Sequence, residues 1–214
     1  MRRVVAVGLV LMMAGGAQGA PARTAAELVE ERCQLCHGRE GEGSSAIYPR
    51  LAGQHAEYLA KQLGDFKSGR RKGTMNEMAA DLSPEEMRVL GEYFAAQPPK
   101  AHRVRDEEFA AVGAYLYRNG NRFSGVAACQ SCHGAEGQGT RQLPRLAGQH
   151  KRYLLDQLQS FNQRTRSNDN AIMHTIASKL TEFEMEALAL YLSGRAKSPS
   201  LTAMESEAKA VSPR

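Results

Sequence analysis

The sequence predicts an all-α protein built from two homologous halves. Apolar residues recur at helical spacing along most of the chain, and helix-capping patterns precede several of these runs. One stretch also occurs twice, as YPRLAGQH at residues 48–55 and as LPRLAGQH at residues 143–150. The repeat continues beyond this stretch, because tyrosine, glutamine, leucine and phenylalanine follow each copy in the same register. Such self-similarity indicates two copies of one structural unit.

The first two helices of the first half are predicted from a cap and from periodicity. Thr24 and Glu27 form a capping box that opens a helix, which we expect to continue to His37. The glycine-rich residues 38–43 then end it. Apolar residues at helical spacing predict the second helix over residues 55–70.

The third helix closes the first half. It begins at Ser83, with Pro84 at the first helical position, where proline is favoured. Its expected buried stripe consists of Met87, Leu90 and Phe94. Consecutive prolines follow, so we interpret residues 98–104 as a linker between a domain at 23–97 and a domain at 105–195.

The second half is predicted to repeat this order. A helix over residues 106–118 comes first, but Asn119-Gly120-Asn121 interrupts it well before the next motif, an insertion that the first half lacks. The middle helix is predicted over residues 150–164. Thr181 and Glu184 form a capping box that opens the closing helix.

All four cysteines of the chain lie in two copies of the pattern C-x-x-C-H. Positions i, i+3 and i+4 share one face of a helical turn, so all three side chains can reach one planar ligand. The pattern is typical of covalent attachment of a c-type haem, with the histidine as an iron ligand. The copies are Cys33-Gln34-Leu35-Cys36-His37 and Cys129-Gln130-Ser131-Cys132-His133.

Two other uses of C-x-x-C fit the sequence less well. Thioredoxin-like redox pairs occur beside strands, and no strand pattern surrounds either copy. A zinc site made from all four thiolates would leave both histidines without a role. We therefore expect two covalently bound haem c groups, and their apolar mass would supplement cores that contain no tryptophan and few aromatic residues.

The second axial ligand of each iron is predicted from the repeat. Methionine at this position suits electron transfer, whereas an open position suits ligand binding or peroxidase chemistry. When the halves are aligned on the caps of their closing helices, Met75 pairs with Met173, while Met78 pairs with Ile176. Because only Met75 keeps a sulfur counterpart, we predict Met75 and Met173 as ligands, each in a loop just before a helix.

Other side chains compete for this position. His55 and His150 correspond in the repeat and are the main alternatives. Met87 and Met185 also correspond, but they lie inside the closing helices, where methionine usually packs in a core. Two histidines have no counterpart in the other half. We expect His174, beside a predicted ligand, to lie on the surface, and we expect His102, in the linker, to have no role.

The two ends of the chain resemble an export signal and a tail. Residues 1–22 combine early arginines with an apolar run and small residues, which predicts cleavage after Gly19 or Ala22 and a periplasmic location. The apolar run is short for a membrane span, although an uncleaved anchor remains an alternative. Residues 196–214 have little to bury, so we expect disorder there.

Charge excludes one class of partner and suggests an asymmetry. The formal net charge of +5 is spread along the chain without a long basic run, so nucleic acid is not implied. Residues 23–97 carry 10 Lys and Arg against 12 Asp and Glu, a formal −2. Residues 98–195 carry 13 against 9, a formal +4. We therefore hypothesise that the two halves favour different partners, the basic half preferring an acidic surface.

The combined pattern resembles the dihaem cytochrome c4 family over about residues 24–195. The resemblance rests on the paired C-x-x-C-H-G sites, the two P-R-L-A-G-Q stretches and the matching tyrosines and methionines. It implies two class I cytochrome c folds in tandem, with the haems near the domain interface. In such cytochromes a proline carbonyl accepts the Nδ1–H of the ligating histidine, a role that Pro49 and Pro144 would fill unless they are plain turn prolines.

The resemblance also implies a periplasmic electron carrier rather than an enzyme. Its expected donor is a quinol-oxidising complex or another cytochrome, and its expected acceptor is a haem–copper terminal oxidase, with peripheral membrane association possible. The alternative is a dihaem cytochrome subunit of a periplasmic dehydrogenase. A dihaem peroxidase is less favoured, because it needs one iron that can open, and methionine is predicted at both.

Overall fold

The computed structural model describes residues 23–195, so the predicted signal segment and tail, residues 1–22 and 196–214, lie outside the described part. Within 23–195 the regular structure is helical, and the only strand-like pairing is an isolated antiparallel bridge between Asn121 and Val126. The predicted all-α fold is confirmed.

In the described part of the first half, one helical stretch leads to the attachment turn and three further helices follow. The stretch changes from α-helical to π-helical winding just before the motif, and returns to α-helical winding through it. The bounds are α1 Ala25–Leu28, a π-helical segment Val29–Cys33, α2 Gln34–His37, α3 Ala56–Lys67, α4 Met75–Ala79 and α5 Pro84–Ala95.

The second half follows the same order, with a loop where the first half has its π-helical segment. The first helix ends at Gly120, whose φ of 69° suits glycine, and irregular backbone separates it from the attachment turn. The bounds are α6 Glu107–Asn119, α7 Gln130–His133, α8 Lys151–Asn162, α9 Ile172–Ala177 and α10 Glu182–Ser193.

The predicted caps are confirmed, since each satisfies backbone N–H groups that a helix leaves unpaired. Thr24 and Thr181 each accept a hydrogen bond from the backbone of a glutamate three residues later, whose carboxylate bonds back to the cap. Ser83 forms the same box with Glu86, ahead of Pro84. The middle helices end at Lys67 and Asn162, two or three residues before the predicted ends.

Each half buries its own core, because its closing helix lies across its first and middle helices. In the first half α5 packs on α3 and α1, and in the second half α10 packs on α6 and α8. The crossing of α6 and α10 is close, since a Cβ added to Gly113 would lie 2.0 Å from the carbonyl oxygen of Ala187. Cys33 and Cys129 pack against these cores, so the attachment turns are part of them.

The two halves meet through a reciprocal set of hydrogen bonds. The side-chain amide of Gln54 donates to the carbonyl of Arg145 at 3.0 Å and accepts from its N–H at 2.8 Å. Gln149 makes the same two bonds to the backbone of Arg50, at 2.9 and 2.8 Å. Because each bond in one direction has its counterpart in the other, the interface has approximate twofold symmetry.

The predicted linker runs across this interface as irregular backbone packed on both halves. The carbonyl of Lys100 accepts a hydrogen bond from the Arg50 guanidinium at 2.9 Å. The N–H of His102 donates to the carbonyl of Ser193 at 3.0 Å. Among residues 23–195, no helix has both the length and the apolar character that a bilayer crossing requires.

Candidate haem-attachment sites

In both halves the C-x-x-C-H residues form a short helical turn that a glycine ends. Gly38 and Gly134 have φ values of 79° and 80°, in the left-handed region. A Cβ at Gly38 would displace the flexible Glu42 carboxylate, and the positive φ would strain any larger residue there. The chain therefore turns away directly after each histidine.

Each motif histidine is fixed by a proline carbonyl of its own half. The Nδ1–H of His37 donates to the carbonyl of Pro49 at 2.9 Å, and that of His133 donates to the carbonyl of Pro144 at 3.1 Å. This bond leaves Nε2 with its lone pair, which is the form that binds a metal. Burial lowers the pKa of both imidazoles, against the opposing effect of the carbonyl, so both rings favour the neutral state.

The four thiols lie where a covalent group would need them. Cys33 and Cys129 face the cores, and burial raises the pKa of each thiol to about 11. Cys33, Cys36 and Cys129 are half-buried, and Cys132 is exposed. A core-facing thiol three residues before a second thiol on the same face of the turn fits attachment of one flat apolar group. The residues present therefore fit haem c.

The predicted methionine ligands occupy matching places, although not in loops. Met75 is the first residue of α4 and Met173 is the second residue of α9, and both side chains are half-buried. The prediction of a loop is wrong because contacts with the middle helices hold these short segments helical. Met78 is 36% exposed, whereas Met87 and Met185 are buried in the two cores, as core packing predicts.

The residues after these methionines share one role that the sequence did not suggest. The side-chain amide of Asn76 donates to the carbonyl of Phe66 at the end of the middle helix. His174 donates from Nδ1 to the corresponding carbonyl, that of Phe161, at 2.9 Å. The expectation of a surface role for His174 is therefore wrong: it is half-buried and replaces Asn76. The equivalence also supports the register that pairs Met75 with Met173.

The alternative ligands His55 and His150 are engaged across the interface instead. His55 donates from Nε2 to the carbonyl of Gln138 at 2.8 Å. Nδ1 of His150 lies 2.8 Å from Nε2 of His102, so one ring donates to the other. The expectation that His102 has no role is wrong, because the linker places its ring against a buried partner.

Two arginines at the interface were also missed. Each stacks its guanidinium on a phenylalanine of its own half and reaches into the other half, with Arg71 4.6 Å from the Phe66 ring and Arg166 4.5 Å from the Phe161 ring. Their equal spacing from these phenylalanines was the available sequence signal. The contacts across the interface join Arg71 to Tyr153 and Gln157, and Arg166 to Tyr58 and Gln62.

Two helical domains, each closed on a C-x-x-C-H turn with a carbonyl-bound histidine, define a tandem cytochrome c of class I. A family model described as cytochrome c matches the chain twice, at residues 22–120 and 117–195. A relative named cytochrome c4, from Thiocapsa roseopersicina, is 42% identical over 166 residues, which are 76% of this chain and 86% of that protein.

A solved structure and a second relative extend the comparison. The reduced recombinant cytochrome c4 of Pseudomonas stutzeri superposes with a TM-score of 0.76 at 34% identity, covering 80% of this chain and 96% of that one. A Stutzerimonas stutzeri protein named thiosulfate dehydrogenase electron acceptor is 40% identical over 165 residues, 74% of this chain and 76% of that protein. The chain belongs to the dihaem cytochrome c4 family of electron carriers, and this membership implies covalently bound haem c.

Proposed function

We propose that the protein is a periplasmic carrier with two haem c groups, one attached at Cys33 and Cys36 and the other at Cys129 and Cys132. His37 and Met75 would hold the iron in the first half, and His133 and Met173 would hold it in the second. The observation that carries this assignment is that two hydrogen bonds recur in both halves. One joins the motif histidine to a proline carbonyl, and the other joins the residue after each methionine to a phenylalanine carbonyl.

The residues of the chain have distinct tasks in this proposal. When bound, each haem supplies an iron that gains or loses one electron. Pro49 and Pro144 orient the ligating imidazoles and keep them in the Nδ1–H tautomer. A thioether sulfur is soft and neutral, so Met75 and Met173 favour the reduced iron relative to a second imidazole.

Three measurements test the cofactor assignment. The denatured mass should exceed that of the processed chain by two haem masses, and the haem should resist acid–acetone extraction. A reductive titration should show two irons, neither of which binds carbon monoxide. Haem that extracts freely, or either iron binding carbon monoxide at once, would contradict the proposal.

N-terminal sequencing of the exported protein tests cleavage after Gly19 or Ala22 and the periplasmic location.

We propose a haem–copper terminal oxidase as the acceptor, with a quinol-oxidising complex as the donor. A second candidate donor is thiosulfate dehydrogenase, which is favoured by the relative named as that enzyme's electron acceptor. Reduction of the purified protein by thiosulfate dehydrogenase and thiosulfate, followed by oxidation with a haem–copper oxidase, separates these assignments. Reduction without oxidation would keep the dehydrogenase role and exclude the oxidase.

A further inference from the structure

The loop between α6 and the second attachment turn presents an aromatic side chain to solvent. We call residues 120–128 the insertion loop. Phe123 lies in it and is 88% exposed, the largest value among the large hydrophobic side chains of the described residues. A single exposed hydrophobic residue is common on protein surfaces, but Phe123 differs in how the loop holds it and in the charges beside it.

The insertion loop is held by specific bonds. Asn121 and Val126 exchange two backbone hydrogen bonds, each 2.9 Å long. The Asn121 side chain accepts from the N–H of Phe123 at 3.0 Å and donates to Glu184 at 2.8 Å. Gly120, the first residue of the loop, packs so closely that an added Cβ would be 2.2 Å from the carbonyl oxygen of Val126. Phe123 is therefore presented by an ordered turn, which lowers the entropy cost of using it in a contact.

The insertion loop is also attached to the motif that follows it. Val126 is buried in the second core, against which Cys129 packs. Gln130, inside the motif, donates from its side chain to the carbonyl of Arg118 at 2.7 Å, at the other end of the loop. Both ends of the insertion loop are thus tied to the turn that carries the second attachment site, including the exposed Cys132.

One cation lies against the exposed ring, and two more lie beside the insertion loop. The Arg122 guanidinium lies 4.8 Å from the centre of the Phe123 ring, and Lys179 donates to a loop carbonyl at 3.0 Å. Arg118 is exposed where α6 ends, and its guanidinium lies 5.9 Å from the centre of the Tyr191 ring. In residues 23–195 none of these three cations is ion-paired with a carboxylate, and the nearby Glu184 is already bound in a helix cap. The surface suits an apolar contact framed by negative charge.

The first half has no such surface. Its π-helical segment Val29–Cys33 leads directly into the motif, and the most exposed of its large hydrophobic residues, Leu35, lies within the motif and is 84% exposed. The neighbouring Arg32 and Arg39 are both ion-paired with carboxylates of their own half. The two attachment turns therefore present different chemistry to a partner.

We propose that the insertion loop is the surface through which the second half docks a redox protein whose cofactor edge lies in an apolar recess framed by carboxylates. This rests on the proposed electron-carrier function. A partner docked there would hold its reduced cofactor beside the second attachment site, where Cys129, Cys132 and His133 would hold a haem that accepts one electron, with no atom transferred. A protein fits better than a membrane, because one aromatic side chain is a small anchor for a bilayer.

The test uses the full-length holoprotein and the hydroquinone of flavodoxin, an acidic flavoprotein that donates one electron and becomes the semiquinone. Phe123→Ala should lower the bimolecular rate constant about tenfold, as loss of an interface anchor does. Arg122→Glu should lower it by about tenfold at low salt and by much less at high salt, because screening removes the charge effect. The matched controls Ile47→Ala, at an exposed apolar residue of the first half outside the motif, and Arg152→Glu should each stay within about twofold of the wild type.

Each contrary outcome is distinct. Equal slowing by Phe123→Ala and Ile47→Ala, or by Arg122→Glu and Arg152→Glu, would overturn the proposal, because the insertion loop would then have no special part. Phe123-dependent binding to vesicles containing anionic phospholipid, with unchanged flavodoxin rates, would reassign the loop to a membrane surface. Reduction of every variant by dithionite at the wild-type rate and amplitude shows that the carrier function is intact, so a failure of docking is separable from a failure of that function.

Discussion

Asn76 and His174 are the side chains that anchor the segments carrying the proposed methionine ligands. Asn76 bonds to the carbonyls of both Phe66 and Arg71, so it ties α4 to the end of the middle helix at two points. Asparagine and histidine differ in size, and only histidine has an ionisable side chain, yet both offer an N–H donor at a similar distance from the backbone. The repeat places Asn76 and His174 at corresponding positions, but nothing in the sequence indicates that the two side chains bond to corresponding carbonyls.

We expect Asn76→Ala to weaken Met75 ligation without detaching the haem. The first half should lose much of the far-red charge-transfer band of methionine-ligated ferric haem and should gain slow carbon monoxide binding. Asn76→His, which copies the second half, should restore the band. A normal band in Asn76→Ala, or no rescue by histidine, would show that the bond does not position the methionine.

Met75 and Met78 can be separated by the same spectra. Met75→Ala should open one iron to carbon monoxide, and Met75→His should lower the potential of that haem, because imidazole stabilises ferric iron relative to thioether sulfur. Met78→Ala is the matched control, since Met78 is more exposed and its counterpart is an isoleucine. The opposite result, with Met78→Ala changing the spectrum, would mean that the repeat alignment is wrong.

At the level of helices, local signals predicted the longer elements and missed the shorter ones. Caps such as Ser83 and Thr181 depend on residues three positions apart, so the sequence alone reveals them. The segments Met75–Ala79 and Ile172–Ala177 are too short to be stable as isolated helices. They exist because the middle helices hold them, which no local pattern reports. The π-helical winding at Val29–Cys33 is likewise not indicated by any local pattern.

The crossing of α6 and α10 should be sensitive to a single methyl group. Gly113→Ala places a Cβ against the Ala187 backbone, which cannot move as a flexible side chain can, so we expect a loss of about 1–3 kcal/mol of stability. Gly64→Ala is the matched control, because no atom lies within 4 Å of the added Cβ in α3. It should leave stability unchanged or raise it by up to about 1 kcal/mol. Denaturant unfolding of the holoprotein measures both, and equal effects would contradict the packing argument.

At the level of the whole molecule, two domains in tandem followed from the repeat, but their mutual arrangement did not. Gln54 and Gln149 belong to the repeated stretch, yet nothing in their spacing indicates that each binds the backbone of the other half. The same is true of Arg71 and Arg166, which lie outside the matching octapeptides. Contacts between domains depend on surface complementarity, and a pattern within one domain carries no information about it.

The interface should weaken in mild acid because of His150. Burial, followed by the charge of Arg50 and the contact with His102, lowers the pKa of this ring to about 4. The unfolded chain takes up the proton near pH 6.5 while the folded chain resists it, so stability is full near neutrality and falls as pH drops from about 6.5 towards 4. Denaturant midpoints of the holoprotein between pH 7 and 5 measure this slope. It should be shallower in His150→Asn, and an equal slope in both proteins would exclude His150 as the cause.

The reciprocal amide bonds also bear on how such a chain arises. Every bond that Gln54 makes to one half, Gln149 makes to the other, which is the pattern of two identical chains related by a dyad. Duplication and fusion of a dimeric ancestor would retain that pattern, with residues 98–104 joining the copies. Fusion also ends the requirement that both copies change together. A homodimer carries every mutation in both of its copies, so it cannot acquire an extra loop beside only one of its two motifs.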